Sequence, residues 1–271
     1  MPPLFVWSLN LLLAAGSPCP QDLAVVKDLL RQWQRPDLDP LAVVEQDKDG
    51  CVINLVLDQQ NLRGTLPESL SQLQHLRGLS LTQNQLSGRI PEAWATLTNL
   101  ETLFLDYNQL TGPLPQHFPP RLRGLFLDHN QISGPLSPGI SNLGELVNVT
   151  LSANQLSGEV PGRWASPHLQ GLFLSKNTFS GAIPPELGFL TGLRNLYLDN
   201  NHLTGSLPLS LTQLRELRDL RVSHNQLVGG IPSTFATLPL LHTFEIEGNP
   251  GLCFAPPFSS QPWYQAQQRC R

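Results

Sequence analysis

The sequence predicts an α/β solenoid of about nine stacked coils, closed by a cap at each end. Three observations predict it. Asparagines recur at Asn84, Asn108, Asn130, Asn154, Asn177, Asn201, Asn225 and Asn249, in steps of 22 to 24 residues, with Gln60 in the same place one step earlier. Each lies within the phrase Leu-x-x-Leu-x-Leu-x-x-Asn-x-Leu, as in "LRGLSLTQNQL" from Leu76. Beyond the asparagine, glycine follows at four residues (Gly112, Gly158) and proline at seven (Pro91, Pro115).

Self-similarity at a period of about 20 to 29 residues, built on this phrase, is the signature of a leucine-rich repeat solenoid. The elements follow in order along the chain. Residues 1–16 read as a secretory signal peptide, with an apolar stretch from Leu4 to Leu13 and small residues Ala14, Ala15 and Gly16 before Ser17. Residues 17–51 form an N-terminal cap, in which a helix from about Asp22 to Trp33 covers the first coil's apolar edge. Residues 52–249 are the repeats and 250–271 a C-terminal cap. After the signal, nothing approaches the ~18 consecutive apolar residues of a membrane span. The expected location is therefore secreted or extracellular, in a cell wall or comparable space.

Within a coil, each residue type has a mechanical role. The Leu-x-Leu segment is a short strand whose leucines share the inward face. The asparagine amide turns inward and needs backbone partners from neighbouring coils. Glycine permits a bend that a Cβ resists. Proline fixes φ and ends the paired segment. Large apolar residues ten positions after the asparagine, among them Trp94, Phe118, Trp164 and Phe235, fill the convex side as core.

The forms "LSGRIP" and "LTGSLP" resemble plant-type extracellular leucine-rich repeats. Those occur in polygalacturonase-inhibiting proteins and in the ectodomains of receptor-like kinases and receptor-like proteins. The resemblance covers about Cys19 to Cys270. It implies a right-handed, curved superhelix with a parallel β-sheet on the concave side. Its ends depart from the family pattern: of the usual Trp-x-Gly-Val-x-Cys, "KDGCVINLVL" keeps only Gly50 and Cys51, while "EGNPGLC" resembles the family's exit.

The four cysteines suit an oxidising compartment. Eight strand steps of ~4.8 Å separate the first and last coils by ~38 Å, whereas a disulfide needs Cα atoms within ~7 Å. Cys19–Cys51 and Cys253–Cys270 are the pairs that satisfy this.

Function should lie on the concave face. Between the inward leucines, one outward column reads Val56, Ser80, Phe104, Phe126, Thr150, Phe173, Tyr197, Arg221 and Glu245. Two positions on stand Asp58, Thr82, Asp106, Asp128, Ser152, Ser175, Asp199, Ser223 and Glu247, and the next column adds Tyr107, His129, Lys176, Asn200 and His224. A stripe of rings thus runs beside a stripe of acids. The rings either stack on their neighbours and stiffen the sheet, or form an aromatic platform for a partner. Covering four rings yields ~6–12 kcal/mol gross against an association cost of ~4–15 kcal/mol, so acids and rim must contribute. A protein or peptide with basic and apolar groups suits this face, and so does a glycan. The ligand-binding set is therefore Phe104, Asp106, Tyr107, Phe126, Asp128, His129, Phe173, Lys176, Tyr197 and Asp199. "NVT" at Asn148 is the chain's only N-glycosylation sequon, and a glycan there would cover the middle of the platform.

Other chemistry is disfavoured. Net charge is −4 with no basic run, which argues against nucleic acid. "EQDKDGCVINLV" mimics half a calcium loop, but the position of the bidentate Glu is Val56 and a strand follows. His129 and His224 stand four coils apart, ~19 Å, too far to share a metal. No phosphate loop, nucleophile elbow or Cys-His pair occurs, and neither cofactor nor catalytic residue is expected. The sequence reads as a recognition module for an extracellular protein or peptide, with a cell-wall hydrolase or a receptor as partner classes. The alternatives are a polysaccharide-binding matrix protein and a soluble decoy or co-receptor.

Overall fold

The computed structural model describes residues 19–254. Residues 1–16, expected as a signal segment, and most of the expected C-terminal cap lie outside the described residues, as does Cys270, and with it the expected Cys253–Cys270 pairing.

Each coil begins with a short strand on the concave side, five residues long in the first coil and three in the others. These strands stack in sequence order into one ten-stranded sheet, parallel throughout except at its start. There Val44–Gln46 pairs antiparallel with Val52–Val56, a hairpin that seals the sheet's first edge. The hairpin's tip is the calcium-like stretch. Asp47 Oδ1 accepts hydrogen bonds from the Asp49 and Cys51 amides, so this carboxylate serves as a turn cap. A second parallel sheet of seven strands follows the asparagines, from Arg63–Thr65 to His202–Thr204. The convex side carries 3-10 turns such as Glu92–Thr96 and Pro185–Phe189. Pro91 and Pro184 sit immediately before these turns at φ −69° and −66°, the values their rings impose.

The core is one continuous leucine column. Leu79, Leu103, Leu125, Val149, Leu172, Leu196 and Leu220 occupy the same rung of successive strands and are all buried. Trp94 and Trp164 are buried on the convex side, as expected of spacers, and their indole N–H groups donate to Pro67 O and Pro161 O, both at 2.9 Å. The asparagine ladder also has the expected form. Asn108 Nδ2 donates to Leu105 O in its own coil and to Leu81 O in the preceding one, while Oδ1 accepts from Leu86 N. An inward amide in each coil thereby satisfies carbonyls and N–H groups that the strand's abrupt end leaves unpaired. Gly112 carries φ +76°, and a Cβ there would meet the Arg89 side chain at 2.8 Å.

The N-terminal cap packs as a helix, Asp22–Gln32, with Val26, Leu29 and Leu30 buried against the first coil. Trp33, just beyond it, is fully buried and donates to Thr65 O at 3.0 Å. Cys19 and Cys51 form a disulfide with Cα atoms 5.0 Å apart. The buried Asp22 carboxyl accepts the Val52 amide at 2.9 Å, a second tie between cap and sheet.

Candidate functional site: the concave face

The outward residues of the concave strands are set by register. Thr102↔Gly124, Leu103↔Leu125 and Phe104↔Phe126 pair across one coil step, which places Phe104 and Phe126 side by side. Their rings lie 4.4 Å apart and 10° from parallel. Three residues further on, Tyr107 and His129 repeat the arrangement at 4.3 Å and 12°. Phe173 and Tyr197 meet edge to face at 4.7 Å and 78°. The Arg221 guanidinium lies 4.4 Å from the Tyr197 ring centroid, and Arg221 Nε approaches Glu245 Oε1 at 3.5 Å. All four ring positions of the column face the concave side, and all are half-buried. The rings stack on one another, as the first of the two sequence readings expects, and still present part of their surface.

Arg221 belongs to this ladder although sequence reasoning did not select it. Its position in the column was visible, but a cation closing over a ring is decided by side-chain geometry, not by spacing. The stripe is also interrupted. Thr150, between Phe126 and Phe173 in register, is short and buried to 9% exposure. A ladder of rings therefore has one missing rung.

The glycines at the start of two strands lower the rings. A Cβ on Gly124 would come within 2.7 Å of the Phe126 ring, and one on Gly171 within 2.5 Å of the Phe173 ring. Both rings lie back over the glycine two residues earlier. Gly-Leu-Phe at 124–126 and again at 171–173 was the sequence signal for this arrangement, and it went unused. Asn148 stands between these glycines, with its Oδ1 2.6 Å from where a Gly171 Cβ would be.

The acids are held more firmly than a free binding stripe would be. Asp106 Oδ1 accepts the Asp128 amide at 2.8 Å, and Asp128 Oδ1 accepts the Ser152 amide in turn. Asp58 Oδ1 does the same for Thr82 N at 2.8 Å. Asp199 accepts from the Ser175 hydroxyl and from Asn200 Nδ2. In the coils of Asp58, Asp106 and Asp128 one carboxylate oxygen thus extends the sheet's hydrogen bonding past the strand end. Burial pushes the Asp106 carboxyl up to about 7, helped by the neighbouring Asp128 charge and opposed by the backbone N–H bonds it accepts. Asp128 is raised for the same first cause. Lys176 and His129 are exposed beside them.

The column holding Tyr107, His129 and Lys176 has a feature the sequence did not suggest. Gln59, Gln83, Tyr107, His129, Ala153, Lys176, Asn200 and His224 all adopt left-handed backbone, with φ from 52° to 58°. The chain turns sharply there to bring the following side chain inward, and non-glycine residues accept that strain in these eight coils, while Gly248 holds the same position before Asn249.

The arrangement can stack planar or apolar groups along the rings and accept hydrogen bonds or cations along the acids. Comparison with known proteins gives the following. Models of the leucine rich repeat match residues 52–110, and again 121–143, 168–190, 192–214 and 216–238, together more than half of the chain. No curated protein matches the sequence. Among solved structures, the chain is similar to the ectodomain of the Arabidopsis receptor kinase HAESA in complex with an N-terminally extended IDA peptide hormone, at 30% identity and TM-score 0.77, covering 89% of this chain and 42% of that one. It is similar to the plant peptide hormone receptor RGFR1 in complex with RGF2, at 28% identity and TM-score 0.63, covering 71% and 34%. A plant ice-binding protein shares the fold at 24% identity and TM-score 0.55, covering 91% of this chain and 98% of that one. The chain spans less than half the length of the two receptor ectodomains. No helix among the described residues is long and apolar enough to cross a membrane.

Proposed function

The chain belongs to the leucine-rich repeat family, and from that premise we propose that it is an extracellular recognition module binding a protein or peptide across its concave face. The observation that carries the reading is the ring ladder, with Phe104, Phe126, Phe173 and Tyr197 at strand spacing on a face bordered by Asp106, Asp128 and Asp199. Adjacent part-exposed rings form an apolar patch that soluble proteins seldom leave bare. The similar ectodomains of HAESA and RGFR1, solved with IDA and RGF2 peptide ligands, support a peptide as the ligand class. Tyr107, His129 and Lys176 line the edge of the same surface.

Affinity capture with the mature chain, compared with a Phe104→Ala/Phe126→Ala variant, tests the proposal. The expected result is loss of one or more extracellular partners from the variant at unchanged folding. Unchanged capture removes the concave-face reading. A polysaccharide is the second reading, favoured by flat rings beside hydrogen-bond acceptors. Competition by soluble oligosaccharide would support it, and inhibition of a cell-wall hydrolase in direct assay would identify the inhibitor case.

A further inference from the structure

The N-terminal cap brings together three metal-ligating side chains that lie far apart in the chain. Cys19 precedes the helix Asp22–Gln32, Cys51 precedes the strand Val52–Val56, and His75 stands in the second coil before the strand Gly78–Ser80. His75 Nδ1 lies 3.2 Å from Cys19 Sγ, and the 56 residues between them hide this Cys-His pair from the sequence. The two sulfurs and a ring nitrogen of His75 all lie within 4.8 Å of one another. Both cysteines are buried, whereas His75 is exposed and forms the solvent side of the cluster.

The backbone holds these donors without help from the disulfide. Cys51 N donates to Asp47 Oδ1 at 3.0 Å, and Cys51 O accepts from Asp47 N at 2.9 Å. The next residue, Val52, donates to Asp22 Oδ2 at 2.9 Å, and Asp22 N in turn donates to Cys19 O at 3.2 Å. His75 is seated between Leu73 and Leu76, both fully buried in the core. Breaking the sulfur–sulfur bond therefore leaves two thiols beside an imidazole at nearly the same places. A tetrahedral zinc ion, with Zn–S of ~2.3 Å and Zn–N of ~2.0–2.1 Å, sets its donors ~3.5–3.8 Å apart. Donor atoms already gathered within 4.8 Å, on cysteines whose Cα atoms are 5.0 Å apart, reach that spacing by side-chain rotation. Two thiolates and an imidazole suit zinc, while calcium and magnesium take oxygen donors.

We propose that Cys19, Cys51 and His75 form a zinc site in the thiol-reduced protein, so that the cap is clamped by a disulfide in oxidising surroundings and by a metal in reducing ones. Two molecules of a thiol, RSH, reduce the disulfide to two cysteine thiols and leave as RSSR. Zinc then displaces both thiol protons to solvent and accepts the lone pair of His75 Nδ1, with water in its fourth position. The site is separate from the concave rings and stands whether or not a ligand binds there.

The test titrates zinc into the full chain, oxidised or reduced with a phosphine that does not bind metal, in competition with a chelating dye. The reduced protein is expected to take up one tightly held zinc ion that the oxidised protein does not. His75→Ala changes an exposed position and leaves both thiols in place. It should weaken the uptake at least about 100-fold, since loss of a mere supporting partner already costs ~10–100-fold. The Cys253 and Cys270 thiols are common to both proteins and cancel in that comparison. Oxidised His75→Ala should melt with the parent, while zinc should raise the melting temperature of the reduced parent alone. If the reduced chain unfolds, zinc is expected to restore its circular dichroism, and failure to do so overturns the proposal. Equal zinc affinity of the reduced parent and reduced His75→Ala also overturns it, because the metal then sits elsewhere. So does uptake that reduction leaves unchanged.

Discussion

Phe104 and Phe126 lie face to face at 4.4 Å although 22 residues separate them in the chain, because one coil step of the solenoid brings them to adjacent strands. The same step stacks Tyr107 on His129 and sets Phe173 against Tyr197. Every outward side chain on this face has its neighbours fixed by the coil period.

A double-mutant cycle on Phe104 and Phe126 measures what that stacking contributes. Because both rings are half-buried and paired, each Ala replacement should destabilise by about 1 kcal/mol. The pair should show a coupling of about 0.5 to 1.5 kcal/mol in denaturant unfolding. Strict additivity would mean that the rings touch without stabilising each other.

Asp106 gives a pH dependence with a definite sign. Its carboxyl is raised from 3.8 to about 7 in the folded protein, chiefly by burial. The folded state therefore holds a proton that the unfolded state has lost between those values, and stability contributed by this group falls as pH rises through that window. Asp106→Asn keeps an oxygen to accept the Asp128 amide but removes the charge. At pH 8 the variant should be more stable than the parent by on the order of 2 kcal/mol, a figure reduced for partial solvent access. That corresponds to a melting temperature about 4 to 8 °C higher. Near pH 4 the difference should vanish. A gap independent of pH would show that the carboxyl is ionised throughout.

The left-handed column offers a strain test. Gln83 has φ 56° and an exposed side chain. Gln83→Gly removes a conformational penalty of about 1 kcal/mol, partly offset by the freer unfolded chain. The net expectation is stabilisation of about 0.5 kcal/mol, while Gln83→Val, β-branched at the same φ, should destabilise. Thermal melts of both variants decide it, and a Gly variant less stable than the parent would contradict the strain assignment.

The coil period, the inward leucines, the asparagine ladder, the convex tryptophans and the Cys19–Cys51 clamp were all legible in the residues. Each depends on a local repeat whose stacking admits one solution: a strand that must bury alternate side chains, and an amide that must find partners. The residues of the candidate site were legible as columns for the same reason. Their relations were not. Burial of Thr150 between two rings, closure of Arg221 over Tyr197 and the lowering of Phe126 and Phe173 onto glycines depend on rotamers and on the width left by a neighbour. The acids read as a free stripe in the sequence. In the structure each of Asp58, Asp106 and Asp128 bonds the next coil's amide, since a strand of three residues leaves that N–H without a partner.

By itself the sequence determined which side chains face inward and outward and which residues share a column, because a fixed period turns position in the chain into position on the surface. Only the tertiary structure decided which outward groups are spent on one another and which stay open, because that depends on contacts between coils at ångström scale, where one small residue in a row of rings changes the shape of the face.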